Sequence, residues 1–377
     1  MPRLADLDTP AALIDTARLH ANIARMQQRM DALGVRFRPH VKTTKCLPIV
    51  QAQLAAGARG ITVSTLKEAE QFHAAGLHDI LYAVCIVPAK LPQALALRRR
   101  GCALQILTDS VAAAEAIAAC GRTHGEVFDV WIEVDVDGHR SGLPPADDAL
   151  LAVGRALHDG GARVRGVLAH AGSSYDLDDA AALRTLAEQE RAGAVHAAQR
   201  LRDVGIPCVE VSIGSTPTAL AAASLEGVTE VRAGVYACFD LVMHNVGVCT
   251  LDEIALSVLT TVIGHQPAKG WAIVDAGWMA MSRDRGTQKQ KHDYGYGQVC
   301  TEAGEPIAGY VVGSANQEHG IVCRADGTVT TIEQRFPIGT RLRILPNHAC
   351  ATGAQHPQYA AVMADGSVQA WPRFYGW

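Results

Sequence analysis

The sequence predicts a (β/α)8 barrel joined to a C-terminal all-β domain, an alternating α/β architecture followed by a β-rich one. Eight short apolar runs, rich in β-branched residues, alternate with Ala-rich amphipathic stretches through about residue 248. Beyond about residue 250 the texture changes: Val-, Thr- and Ile-rich runs are joined by Gly, Asp and Pro turns, and helical spacing nearly vanishes. A doubly wound open sheet is the main rival, but it usually has fewer strands, and no G-x-G-x-x-G follows the first one. The expected domains are therefore 1–248 and 249–377, with roughly the first 15 residues able to pack on the second.

Taken in order, DTPAALIDT at 8–16 reads as a Pro turn and a short strand, with Asp15 or Thr16 capping the next helix. Leu19, Ile23, Met26, Met30 and Leu33 then recur at helical spacing. The opening barrel strand is expected at 35–41. Its successors are expected at 60–65, 79–84, 104–108, 128–136, 164–170, 208–213 and 230–236, with helices at 66–76, 90–99, 110–120, 147–158 and 178–202. In the second domain, runs at 258–263, 271–275, 308–312, 329–332, 340–345 and 360–363 read as strands.

Composition narrows the function. With 34 basic against 38 acidic residues, a net charge of −4, the chain offers no basic surface for nucleic acid and no acidic tail, so its partners are small molecules or its own copies. Ten cysteines occur without a C-x-x-C pair, and Cys85, Cys120 and Cys238 lie inside apolar runs. That usage suits reduced thiols in the cytoplasm. The N-terminus lacks the basic and apolar regions of a signal peptide, and no uninterrupted apolar window is long enough to span a membrane.

The candidate chemistry starts in Arg38–Cys46, RPHVKTTKC. Lys42, at the mouth of the first barrel strand, has two readings: a lysine snorkelling into water, or an amine held ready to form a Schiff base. Strand alternation would put Lys42 on one face with His40 and Thr44, and Lys45 on the other. In a barrel, the loops after strands seven and eight commonly hold phosphate. Here they carry Gly214, Ser215 and Thr216, then Gly234, Val235 and Tyr236, which fit either a phosphate cradle or ordinary small-residue turns. A phosphate cradle together with a strand-end lysine suggests pyridoxal phosphate. Arg140, in the turn DVDGHRSG, can face the same mouth and donate to the cofactor's phenolic oxygen, or can make a surface ion pair. His170, in HAGSSY with Tyr175, can lie against the cofactor ring or be a structural histidine.

In the second domain, His348 and Cys350 stand two apart, and on an extended segment they would share a face. A thiolate with an imidazole favours zinc and leaves coordination positions open. The cluster NQEHG, with Gln317 and His319, can orient a substrate group or form a polar turn. Arg283, Arg285 and Lys289 can meet a substrate carboxylate or line a solvated loop.

In this order, RPHVKT, DGHRSG, HAGSSY, GSTPT, RAGVY, QEHG and HAC resemble the D-serine dehydratase and D-threonine aldolase family, pyridoxal-phosphate enzymes with an alanine-racemase-like barrel. The resemblance runs nearly end to end. It implies that Lys42 is the Schiff-base lysine, that Ser215, Thr216, Gly234, Val235 and Tyr236 surround the phosphate, that Arg140 approaches the phenolic oxygen, and that His170 lies beside the ring. It also implies a divalent metal on His348 and Cys350, zinc before manganese, cobalt or magnesium. In the aldolase branch the second metal position is typically an aspartate, so Cys350 points to the dehydratases. The implied reaction is loss of the 3-hydroxyl from a D-3-hydroxy amino acid, turning 3-hydroxyaspartate into oxaloacetate and ammonia or D-serine into pyruvate and ammonia. Alternatives are D-threonine aldolase cleavage, a racemase that needs no metal, and a non-catalytic carrier of pyridoxal phosphate. A homodimer is expected.

Overall fold

The computed structural model describes residues 2–376. By internal contacts the chain forms two compact units: Arg25–Gly234 with the residues from Phe374 on, and the chain up to Ala24 with Val235–Arg373. The divisions thus fall inside the helix Thr16–Ala32 and just after Gly234, whereas composition alone placed the change near 248.

After β1 (Ala11–Asp15), the first unit contains β2 (Arg36–Pro39), β3 (Ile61–Val63), β4 (Asp79–Cys85), β5 (Ala103–Thr108), β6 (Asp129–Val134), β7 (Arg163–Ala169), β8 (Glu210–Ile213) and β9 (Glu230–Ala233). All eight from β2 to β9 are parallel and neighbour one another in chain order, and β9 pairs with β2. An isolated bridge between His40 and Thr62 brings β2 to β3 and completes the ring. The expected barrel is therefore present. Intervening helices begin where the sequence supplies caps: Thr65, Ser110 and Asp179 each accept a backbone N–H of the first turn.

The barrel interior is partly apolar, around Leu81, Leu107, Trp131 and Leu168, and partly a ladder of charge. Arg36, Arg38 and His40, two apart, follow the strand period up β2. Arg38 Nε donates to Glu230 Oε2 at 2.8 Å and its Nη1 to Asp79 Oδ1 at 2.8 Å. Ser212 Oγ donates to Glu230 Oε1 at 2.8 Å, and Arg232 Nη1 donates to Ser212 Oγ at 2.5 Å. Glu230 is 1% exposed, so this carboxylate, together with Asp79 on Arg38, offsets the charge of two buried guanidiniums at the seam where β9 meets β2.

The second unit is built from β10 (Leu256–Gln266), β11 (Trp271–Val274), β12 (Gly297–Thr301), β13 (Pro306–Ala315), β14 (Gly320–Arg324), β15 (Arg341–Pro346), β16 (Gln358–Val362) and β17 (Val368–Pro372), together with β1. The order β11-β14-β13-β12-β15-β10 closes on itself through β10–β11, a six-stranded barrel, and β1, β16 and β17 extend it from β10. Val258, Val274, Val312, Phe336 and Ile344 form part of its core.

Two expectations need correction. The run 329–332 is not a strand: Ile332–Arg335 is a single helical turn that drops Ile332 and, just after it, Phe336 into the core. The opening strand stops at Pro39, and Val41–Thr43 forms a 3-10 turn. Sequence reading also passed over β12, β14 and β17, each five residues long.

Replacing Glu230 with alanine leaves Arg38 and Arg232 facing each other across the seam without the shared carboxylate. A loss of about 3 kcal/mol in folding stability is expected, measured as a lower denaturant midpoint, and an unchanged midpoint would show that the seam does not depend on this charge.

Candidate active site

The C-terminal ends of the barrel strands gather the sequence-selected residues of the first unit. Lys42 lies in the 3-10 turn and its side chain is exposed. Because the strand has already ended, alternation cannot choose between Lys42 and Lys45. Ion pairing separates them instead: Lys45 adopts a left-handed backbone (φ 46°) and sets its Nζ 2.9 Å from Glu68 Oε1, a carboxylate that is 1% exposed. Glu68 in turn accepts the Ser64 N–H at 2.8 Å, which fixes Lys45 as a structural cation.

His40 sits two residues before Lys42. Its Nε2 is 3.4 Å from Ser64 Oγ, while its Nδ1 is buried without a partner among the described residues. Burial, then the charges of Lys42, Arg232, His170 and Arg140, push this imidazole well below its usual range. The same groups surround His170, which burial and the nearby cations push down to about 3 against the opposing pull of its bond to Gly214. Neutral His170 therefore donates Nδ1–H to the Gly214 carbonyl at 2.9 Å, and the Tyr175 ring lies 6.2 Å away, tilted by 46°. A mouth lined by Lys42, Arg140, Arg232 and two neutral imidazoles is a site for an anion.

Two loops shape the small end of that mouth. Gly214 has φ 129°, and a Cβ there would stand 2.3 Å from the Arg232 carbonyl, so only glycine fits. A Cβ on Gly234 would meet the His40 carbonyl at 2.9 Å. Buried Glu190, reaching from the helix Ala180–Asp203, accepts the N–H groups of both Ala171 and Gly214 at 3.0 Å through one oxygen. Ser215 caps the turn Thr216–Ala221 and its Oγ lies 2.9 Å from Ser174 Oγ. The Thr216 hydroxyl is buried with no partner among the described residues. Unpartnered donors, two obligatory small residues and converging cations fit a phosphorylated, anionic cofactor anchored at a lysine. Val235 and Tyr236, both buried, begin the second unit in the 3-10 turn Val235–Ala237.

In the second unit His348 and Cys350 are not on an extended segment. His348 is the N-cap of the helix Ala349–Gly353 and Cys350 lies in its first turn, so a helix start, not strand alternation, brings the two side chains together. His348 Nδ1 is 2.6 Å from Asp284 Oδ2. Burial opposes its protonation, but the Cys350 sulfur, Asp284 and then Asp240 prevail and raise it to about 11. Asp240, 1% exposed, fixes the helix by accepting the Ala349 N–H at 2.8 Å. An imidazole oriented by a carboxylate beside a thiol is a donor set suited to zinc, with the cation replacing the shared proton.

On either side of Asp284 in the chain, Arg285 pairs with Asp293 at 3.0 Å, whereas Arg283 is exposed and stacks on Trp278 with 4.9 Å between guanidinium carbon and ring centre. The turn bearing Gln317 and His319 is stitched to the short helix Trp278–Met281: Trp278 N–H donates to the Asn316 carbonyl at 2.9 Å and Met279 N–H to that of Gln317 at 3.1 Å. Lys289 is exposed in the loop between.

Sequence reasoning missed His40, Arg232, Glu133 and Asp284. His40 stood in the opening motif, two residues from Lys42. Asp284 lay inside a stretch read only for its cations. Glu133 belongs to a further group at the barrel mouth, in which ligand-type atoms of Cys85, Asp109 and Glu133 lie within 4.8 Å of one another.

Comparison with known proteins agrees with this layout. Residues 14–241 match the alanine racemase N-terminal domain, and 255–362 a putative serine dehydratase domain. The chain is 69% identical over 377 residues to D-threo-3-hydroxyaspartate dehydratase of Delftia sp. (strain HT23), covering 99% of each. It is 33% identical to D-threonine aldolase of Arthrobacter sp., over 97% of this chain and 92% of that one. The solved Delftia sp. HT23 dehydratase superposes with a TM-score of 0.99 at 68% identity, covering all of both chains. The same dehydratase is known with one cysteine changed to alanine, in a metal-free form, and with a histidine two positions earlier changed to alanine. An alanine racemase N-terminal domain over most of the barrel, a serine dehydratase domain after it and 69% identity to the Delftia enzyme from end to end place this chain in the D-serine dehydratase and D-threonine aldolase family.

Proposed function

We propose that this lyase removes the 3-hydroxyl of a D-3-hydroxy amino acid, taking D-threo-3-hydroxyaspartate to oxaloacetate and ammonia, or D-serine to pyruvate and ammonia. The observation that carries the reading is the pair His348 and Cys350 beside Asp284, on a chain 69% identical throughout to a dehydratase of that name. The cysteine and histidine altered in the Delftia enzyme are spaced as Cys350 and His348 are.

Bound pyridoxal phosphate supplies an electron sink at Cα, and a divalent cation, zinc by its donor set, supplies Lewis acidity at the hydroxyl oxygen. Lys42 would hold the cofactor through Nζ and, once freed by the substrate amine, take the α-proton from one face. Gly214, Ser215, Thr216, Gly234, Val235 and Tyr236 would hold the phosphate. Arg140 would donate to the phenolic oxygen, and neutral His170, fixed by Gly214 and flanked by Tyr175, would lie against the ring. His348 and Cys350 would hold the metal, and Asp284 would orient the imidazole. Arg283, which stacks on Trp278 and has no carboxylate partner among the described residues, would meet the substrate's second carboxylate with His319 and Gln317. Hydroxide leaves as water, and the released enamine hydrolyses to an oxo acid and ammonia. The same reading makes the protein a cytoplasmic homodimer acting on a small molecule; among the described residues no helix is long and apolar enough to cross a membrane.

The aldolase reading keeps a place because of the 33% identity to D-threonine aldolase. A product assay on D-threo-3-hydroxyaspartate separates them: oxaloacetate with ammonia is expected, and glycine with glyoxylate would favour the aldolase. A yellow protein that turns over no D-amino acid would leave only a carrier of the cofactor.

Lys42→Ala is expected to lower turnover roughly ten-thousand-fold, whereas Lys45→Met should stay yellow and lose stability instead, by about 3 kcal/mol. The reverse pattern would move the cofactor to Lys45. His348→Ala and Cys350→Ala are each expected to lose the bound metal by elemental analysis. Because His348 is protonated up to about 11 without metal, cation binding expels a proton. Affinity should therefore fall as pH falls, by about tenfold per unit for one proton; a flat calorimetric profile would remove His348 from the ligand set.

A further inference from the structure

At the barrel mouth, Arg140 stands at the tip of a loop whose two feet are tied down. Leu143 N–H donates to the Glu133 carbonyl and Asp135 N–H to the Leu143 carbonyl, both at 3.0 Å. Gly142 N–H donates to Asp109 Oδ2 at 3.1 Å, and its φ of 111° excludes other residues there. On the far side Asp137 Oδ2 accepts both the N–H and the hydroxyl of Ser173, at 2.9 and 2.8 Å. At the tip the Arg140 side chain is 54% exposed, and it stands beside the Glu133 carboxylate, with Nη2 to Oε1 at 3.7 Å.

Glu133 is almost fully buried at the end of β6, and its other oxygen accepts the Cys85 thiol at 3.1 Å. Burial, then the charges and hydrogen bonds of Glu133 and Asp109, push the thiol far up, so it stays protonated and serves as a donor. We propose that Glu133, held in place by the Cys85 thiol, is the positioning residue that aims Arg140 at the cofactor's phenolic oxygen. The inference rests on the proposed function, in which Arg140 meets that oxygen. It gives the Cys85, Asp109 and Glu133 group a different use from cation binding: the protonated thiol donates to one Glu133 oxygen while the Arg140 charge stands beside the other.

A double-mutant cycle in the holoenzyme tests it, read by the visible spectrum of the bound cofactor and its release rate on dilution, with the unfolding midpoint as a folding check. Arg140→Ala is expected to speed release about tenfold and lower the yellow, phenolate form. Glu133→Gln should shift both readouts the same way by about threefold or more, and adding it to Arg140→Ala should change nothing further. Multiplicative effects, or a Glu133→Gln protein indistinguishable from wild type, would overturn the proposal. If Glu133→Gln does not fold, Cys85→Ala takes its place, expected to speed release about threefold and to be silent in the Arg140→Ala background; no effect in the wild-type background would overturn the proposal. A second metal equivalent in wild type that either variant loses would also overturn it, in favour of a cation site. If Arg140→Ala alone leaves spectrum and release unchanged, the role of Arg140 falls and this inference with it; an effect there with none at Glu133 removes only the inference.

Discussion

Glu230 is the buried charge on which the barrel unit depends. Closing eight parallel strands puts β9 beside β2, and the register sets Arg38 opposite Arg232. Two guanidiniums taken out of water at one seam are intolerable without an anion between them. Glu230 supplies it, one oxygen accepting from Arg38 and the other from Ser212, which accepts from Arg232. The seam fixes the end of β2, where Lys42 turns out, and the end of β9, where Gly234 passes under His40.

The mouth above that seam is organised by the same balance of charge. Arg232 gives its second nitrogen to the Ala169 carbonyl at 2.6 Å, next to His170. Glu190 ties the loops after β7 and β8 through two backbone N–H groups, so the cradle residues are held by a helix behind them and not by one another. Cationic groups accumulate at the open end while the carboxylates lie behind or beside them. Such a field suits an anionic group, and preorganised donors of this kind cost little reorganisation when one binds. In the second unit Asp240 and Asp284 play the corresponding part, one fixing the helix start and the other the imidazole.

Much of this was legible in the residues. The βα alternation located all eight barrel strands, because parallel strands covered by helices read as continuous apolar runs. Motifs such as HAGSSY and GSTPT marked the loops after β7 and β8, since close backbone approach requires small residues. What failed was alternation carried past its range. At 35–41 it ran through a turn and at 348–350 through a helix start, while at 329–332 β-propensity read a segment leading into a helical turn as a strand. Period-two reasoning holds only while the backbone stays extended.

Residue types and their order along the chain were enough to say which side chains stand at which strand ends, and hence the fold and the kind of chemistry. They are local properties that survive any packing. How those side chains are employed was settled by the folded chain alone. Lys45 is spent on Glu68, which lies 23 positions on in the chain. His348 gains its orienting carboxylate from Asp284, and Arg140 meets Glu133 through a loop that folds back on its own strand. Charge interactions are set by distance and burial, and neither can be read along a chain whose partners are brought together by closure of a barrel.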